Sequence, residues 1–246
     1  MAMAVASLIL SNVSSQAQLS LNFSSSPGGP PAGGSTIQFN GTNSSFQFNI
    51  ASTPYSIPNP PFAPFVVNYY VGSQWSITSE TGGTGSALNL LGWVNSSPFT
   101  NSPFNYGPIV TNGIDETANV LGPLGMLQIY DNAGNLLTGT VDWEQVATHG
   151  FGGAINASLT VNITNLVYLG SNPDLQTLAA DSPGSMDLTF QFSPGMTLGD
   201  LTSGPGPYMT SYSGSLSVPE PTSLGLGVLG LAALAGFKGL KRKKRF

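Results

Sequence analysis

The chain of 246 residues has no cysteine, one histidine, and no lysine or arginine before Lys238. Without cysteine it makes no disulfide and offers no thiolate to a metal or a substrate. A single imidazole, His149, would leave a zinc site to be completed by carboxylates, an uncommon ligand set. All six basic side chains, Lys238, Lys241, Arg242, Lys243, Lys244 and Arg245, lie in the last nine residues. The segment before them therefore carries a formal charge of −11, although the whole chain sums to −5. An anionic surface of this kind excludes nucleic acid as a partner, because that binding rests on cations that neutralise phosphate. It also removes salt bridges and arginine clamps, leaving burial, backbone ladders and Asn, Ser and Thr hydrogen bonds to hold a fold together.

Apolar material is plentiful: 40% of residues are hydrophobic, with 13 Phe, 8 Tyr and 3 Trp. A core is affordable and disorder is not expected in the middle of the chain. The 31 Gly and 19 Pro suit a turn-rich sheet protein better than a helix bundle. The hydrophobic period is two. Phe46, Phe48 and Ile50 alternate with Gln47 and Asn49; Leu159, Val161 and Ile163 alternate with Thr160 and Asn162; Leu188, Phe190 and Phe192 alternate with Thr189 and Gln191. Each pattern predicts a strand with one wet face. Further strands are expected over Phe65 to Val71, Gln74 to Ile77, Ala87 to Val94, Met126 to Tyr130, Leu136 to Val146 and Tyr208 to Leu216. The expected architecture is all-β, an antiparallel β-sandwich of jelly-roll type over residues 36–217. Asp131-Asn132-Ala133-Gly134-Asn135 reads as a hairpin turn that accepts positive φ. Asn172-Pro173-Asp174 reads as a helix start, and Asp115 to Leu121 as a short turn.

The two ends read differently from the middle. Ala2 to Leu10 is a short apolar run, and Ser15-Gln16-Ala17 places small residues where a signal peptidase accepts them, so residues 1–17 are expected to be a signal peptide. Residues 18–35 are a Pro/Gly/Ser-rich lead-in. At the other end Val218-Pro219-Glu220-Pro221 precedes an apolar stretch, Leu224 to Phe237, and then the basic cluster. At the helical rise those fourteen residues cover about 21 Å, less than a hydrocarbon core of about 30 Å. Extending the segment to 223–240, with Lys238 snorkelling, yields an expected single transmembrane helix. A cationic cluster after it resists translocation and fixes the rest outside.

This order of parts resembles the PEP-CTERM sorting signal of bacterial exported proteins, over residues 218–246. The resemblance implies that Pro219, Glu220 and Pro221 are the recognition element for an exosortase, an integral membrane transpeptidase-like enzyme that cuts near them. It implies that Lys238 to Arg245 are the stop-transfer tail. The protein would then be held at the inner membrane before processing and reach the cell surface or the extracellular space afterwards. Two prolines keep Glu220 extended and stop a helix from propagating into it.

Motifs for chemistry are sparse. No serine sits in a Gly-x-Ser-x-Gly turn, so His149 reads as the cap of the loop His149-Gly150-Phe151-Gly152-Gly153 rather than as a base. Asp142 and Glu144 share a strand face, with Trp143 on the other; paired carboxylates beside an aromatic could serve glycoside hydrolysis, but a solvated face over a buried Trp143 is the expected reading. Asp131, Asn132 and Asn135 could offer oxygens to calcium, but the spacing fits a turn better. Asn40, Asn43, Asn95, Asn156 and Asn162 head Asn-x-Ser/Thr triplets that reflect composition. The expectation is a non-enzymatic structural or adhesive surface protein with no cofactor and no metal. Its partners would be the membrane, an exosortase-like enzyme and extracellular polysaccharide. The alternative is a carbohydrate-binding module or glycoside hydrolase that uses Trp143, Asp142 and Glu144, with Trp75 and Trp93 as further stacking platforms.

Overall fold

The computed structural model describes residues 18–25, 35–48, 73–95, 102–150 and 157–218, all within one compact unit. In chain order the strands are β1 (Ser20–Ser25), β2 (Ile37–Phe39), β3 (Ser45–Phe48), β4 (Ser73–Thr81), β5 (Leu91–Asn95), β6 (Phe104–Asn105), β7 (Val110–Asn112), β8 (Asp115–Asn119), β9 (Gly125–Tyr130), β10 (Leu136–His149), β11 (Ala157–Tyr168), β12 (Gly184–Phe190), β13 (Tyr208–Thr210) and β14 (Tyr212–Ser217). The helices are α1 (Pro173–Ala180) and α2 (Leu198–Ser203).

Eight strands close on themselves in the order β10-β11-β12-β14-β1-β4-β5-β9 and back to β10, each pair antiparallel. The architecture is a β-barrel, not the jelly-roll sandwich that the alternation suggested. Period two reports one buried face and is the same for both; closure depends on which strands pair. Here β10 and β11, 14 and 12 residues long, pair with each other along their length. Register shifts at Thr138/Thr140 and Trp143/Gln145, and at Asn22/Phe23 in β1, let them coil. The far half of β10, Gln145 to His149, leaves β9 and pairs with β8, which carries β7 as an outer edge. Residues 115–119, read from sequence as a turn, are thus strand β8.

The transmembrane helix expected over 223–240 lies outside the described residues. Among them no helix is long and apolar enough to cross a membrane. Residues 1–17 also lie outside, as do 49–72 and with them the expected strand over 65–71. Within 18–35, Ser20–Ser25 is a barrel strand.

Side chains fill the barrel. Leu21, Phe23, Trp75, Ile77, Val94, Leu127, Ile129, Val141, Trp143, Val161, Ile163, Met186, Leu188 and Leu216 are all buried. Large rings lie over glycines on the next strand: Trp75 is the cross-strand partner of Gly92, and Phe23 that of Gly214. A Cβ on Gly92 would stand 2.2 Å from the Trp75 ring, and one on Gly214 would stand 2.6 Å from the Phe23 ring. Such pairs need a residue without a side chain, so these glycines set the interior shape.

One rim, where β5 and β12 end and β4 and β14 begin, is closed by a second sheet of order β13-β2-β3-β6. It turns buried Ile37, Phe39, Phe46, Phe48 and Phe104 toward the barrel. Phe48 stacks on Trp143 at 5.2 Å between centroids and meets Tyr212 edge-on at 5.4 Å, while Phe39 lies 5.2 Å from Phe190. The opposite rim is covered by α1 and the 82–90 connection between β4 and β5. Pro173 stands at the first helical position, and Asn172 accepts hydrogen bonds from the Asp174 and Leu175 amides. This start directs buried Leu175 and Leu178 inward.

Candidate functional site

Strand alternation decides which side chains a partner can meet. The three tryptophans do not qualify: Trp75, Trp93 and Trp143 are 0%, 2% and 2% exposed. Trp143 points into the barrel, as alternation required, and Asp142 and Glu144 point out. Glu144 sits at the register shift, and its carboxylate accepts from the side-chain amide of Asn162, the cross-strand partner of Asp142. These carboxylates therefore stand on an open strand face without an exposed tryptophan beside them.

His149 ends β10, with its Nδ1 3.3 Å from the Asp115 carboxylate and both side chains about half exposed. The hairpin at 131–135 is a turn, with Asn132 at φ 60 and Gly134 at φ 101. Its Asp131 carboxylate accepts hydrogen bonds from the Ala133 and Asn135 amides, the Asn135 side chain and the Tyr168 hydroxyl. Burial pushes the Asp131 carboxyl up, but these donors outweigh it and hold the group below its ordinary value. Both oxygens of the Asp131 carboxylate are thus engaged by donors of the protein itself. Among the described residues no group of three potential metal ligands occurs.

The most regular surface feature lies on the outside of β12, β14 and β1. From Ser211 to Ser217 every second residue is serine, and these face out while Tyr212 and Leu216 face in. Register aligns Ser185, Ser217 and Ser20 in one row, Asp187, Ser215 and Asn22 in the next, and Thr189, Ser213 and Ser24 in the third. The result is a grid of small polar groups, about 4.8 Å apart across strands and about 6.8 Å along them. Neighbours bond weakly, Ser185 to Ser217 and Thr189 to Ser213 both at 3.2 Å. Two shallow depressions of about 520 and 480 Å³ run over it and share Ser24, Thr189 and Ser213.

A second polar constellation, not singled out from sequence, sits at the α1 rim. Buried Asp174 is tied to the 82–90 connection: Oδ1 accepts from the Thr84 amide at 2.8 Å, and Oδ2 from the Ser86 amide at 2.8 Å, the Ser86 hydroxyl at 2.5 Å, the Thr84 hydroxyl at 2.9 Å and the Ala87 amide at 3.2 Å. Glu80, at the end of β4, accepts from the Gly85 amide at 2.8 Å and from the same Ala87 amide at 3.3 Å. Asn172 extends the network, its side-chain amide donating to the Ser86 carbonyl and its backbone amide to the Tyr168 hydroxyl. The helix-start motif at 172–174 was legible. Its partners about ninety residues away were not.

Pro219, Glu220 and Pro221, and Lys238, Lys241, Arg242, Lys243, Lys244 and Arg245, lie outside the described residues. What is described is the approach to them: β14 ends at Ser217, and Val218 is buried with its amide on the Leu19 carbonyl at 3.3 Å.

No curated protein and no solved structure matches the chain. A family model described as the PEP-CTERM protein-sorting motif matches residues 217–243, the stretch that holds Pro219-Glu220-Pro221, the apolar run and most of the basic cluster. The C-terminal tail of this chain is a PEP-CTERM sorting signal, which marks an exported protein directed to an exosortase.

Proposed function

We propose that this is a membrane-associated precursor of a surface or matrix protein, cut near Pro219-Glu220-Pro221 by an exosortase, whose barrel then acts by contact rather than by catalysis. The observation that carries this reading is where the closing strand of the barrel ends. Strand β14 completes the barrel at Ser217 and Val218 is buried, and the recognition element Pro219-Glu220-Pro221 follows directly in sequence. Cleavage there leaves every described strand and every described core side chain in the barrel.

Contact as the mode of action is supported by the filled interior and by the outer polar grid. A filled barrel leaves binding to its outside. The grid on β12, β14 and β1 offers hydroxyl and amide groups that can exchange hydrogen bonds with sugar hydroxyls, and the absence of lysine and arginine before Lys238 disfavours anionic polymers. A neutral extracellular polysaccharide fits this chemistry best. The rival reading as a stacking lectin or glycoside hydrolase is weakened by the burial of Trp75, Trp93 and Trp143.

Processing is tested by Glu220→Ala in the native host: uncut full-length protein should accumulate with the cell membrane. Unchanged processing of that variant would remove the assignment of Glu220. Glycan-array binding by residues Gln18 to Val218 tests the contact reading, and Ser215→Arg should weaken whatever signal appears by projecting a long side chain from the middle of the grid.

A further inference from the structure

Glu80 and Asp174 share one N–H donor, that of Ala87, and the described residues include no lysine or arginine to separate them. The groups that could face this pair are few. The 82–90 connection holds no ionisable side chain, and α1 contributes only Asp174, with Asp181 at its C-cap. The adjoining turn contributes Asp131, already engaged by Tyr168 of β11. The one histidine lies at the far end of β10, against Asp115. Two carboxyls that close together do not both ionise cheaply, so one of them holds its proton more tightly than a free carboxyl does. Asp174 has five donors that favour its anion, whereas Glu80 has only two amides and is the better proton binder of the two.

We propose that the Glu80–Asp174 pair is an acid-tightened clasp that holds α1 and the 82–90 connection over the end of the barrel. With a proton on Glu80, its O–H is one more donor to the neighbouring carboxylate, and the clasp closes. When that proton leaves, two like charges flank the Ala87 amide, and the strand-to-strand connection pulls away from the helix.

The shifts agree in direction. Burial pushes the Glu80 carboxyl up, and the adjacent Asp174 adds to this against the Gly85 amide. Burial also acts upward on Asp174, but the Ser86 hydroxyl and the Thr84 amide and hydroxyl outweigh it and hold that carboxyl down. A group that folding makes a better proton binder stabilises the fold once protonated, so the contribution of Glu80 is present at low pH and lost as pH rises through its raised pKa. The contribution of Asp174 is present above the ordinary aspartate range and lost only as pH falls through its lowered pKa. The clasp is therefore tightest in mildly acidic medium. Acid would also load little positive charge onto this part of the chain, since before Lys238 it holds one histidine and neither lysine nor arginine.

The test is amide hydrogen exchange on the full chain in detergent, with peptides covering 82–90 compared against peptides covering β9 as an internal clock. After correction for intrinsic exchange, protection of 82–90 relative to β9 should rise several-fold between about pH 8 and about pH 5. Glu80→Gln, which cannot titrate, should abolish that rise while leaving β9 unchanged. The wild-type melting temperature should also increase over the same interval. A wild-type ratio that stays flat, an equal rise in Glu80→Gln, or a melting temperature that falls on acidification would each overturn the clasp.

Discussion

The two ends of the barrel are closed by opposite chemistry. At one rim Phe39, Phe46, Phe48 and Phe104 pack against Trp143, Phe190 and Tyr212, with no ionised group in the contact. At the other, α1 is held by a buried carboxylate that collects five donors from one connection. The aromatic rim is a matter of area and shape and responds little to pH. The polar rim rests on a few directed bonds, so its strength follows proton activity. A chain without lysine or arginine in its folded part can use carboxylates in this way because amides and hydroxyls serve as their counter-groups.

Three substitutions would sharpen or break this contrast. The largest effect is expected from Phe48→Ala, which empties space against Trp143 and Tyr212. It should cost about 3–5 kcal/mol and lower the melting temperature equally at every pH between acid and neutral. A pH-dependent loss would mean that the two ends are coupled. Asp174→Asn comes next, at about 2–3 kcal/mol, because a carboxamide accepts fewer of the five bonds and brings an N–H among donors. Chemical denaturation should show this loss near neutrality and a smaller one in strong acid, where the wild-type carboxylate is itself neutralised. Tyr168→Phe is the mildest, at about 1 kcal/mol, through the lost hydroxyl between Asp131 and the Asn172 amide. Burial, with Asp131 beside it, pushes the Tyr168 hydroxyl up to about 12. Its contribution should therefore be complete below the ordinary tyrosine value and decline as pH climbs toward 12. The variant should lose that alkaline limb in a melting series, and retention of the limb would assign it elsewhere.

How much of this was legible varied with the range of the interaction. Alternation located β9, β10, β11 and β12 and put Trp143 inside and Asp142 outside, because facing is a local property of a strand. The turn at 131–135 and the cap at Asn172 were equally local. The barrel was hidden because closure rests on β10 pairing along β11 and on single-residue register shifts that no periodicity reports. Asp115–Asn119 reads as a turn from its polar residues, yet pairing with β10 makes it a strand. Helix α2 did have a signature, Thr197 with Asp200 in a capping box, which lies in a glycine- and proline-rich stretch that masked it. The Glu80–Asp174 pair joins β4 to α1 across a long stretch of sequence and had no local sign. The tail was the most legible part, because it is read as an ordered string of Pro-Glu-Pro, apolar run and cations rather than as a folded surface.

The central claim is that a finished barrel is exported and then separated from its basic tail just beyond Val218. Intact-mass measurement of the protein extracted from the cell surface tests it most directly. A mass ending near Pro219 to Pro221, without Lys238 to Arg245, is the expected result. A surface-extracted chain whose mass still includes the six basic residues would contradict it.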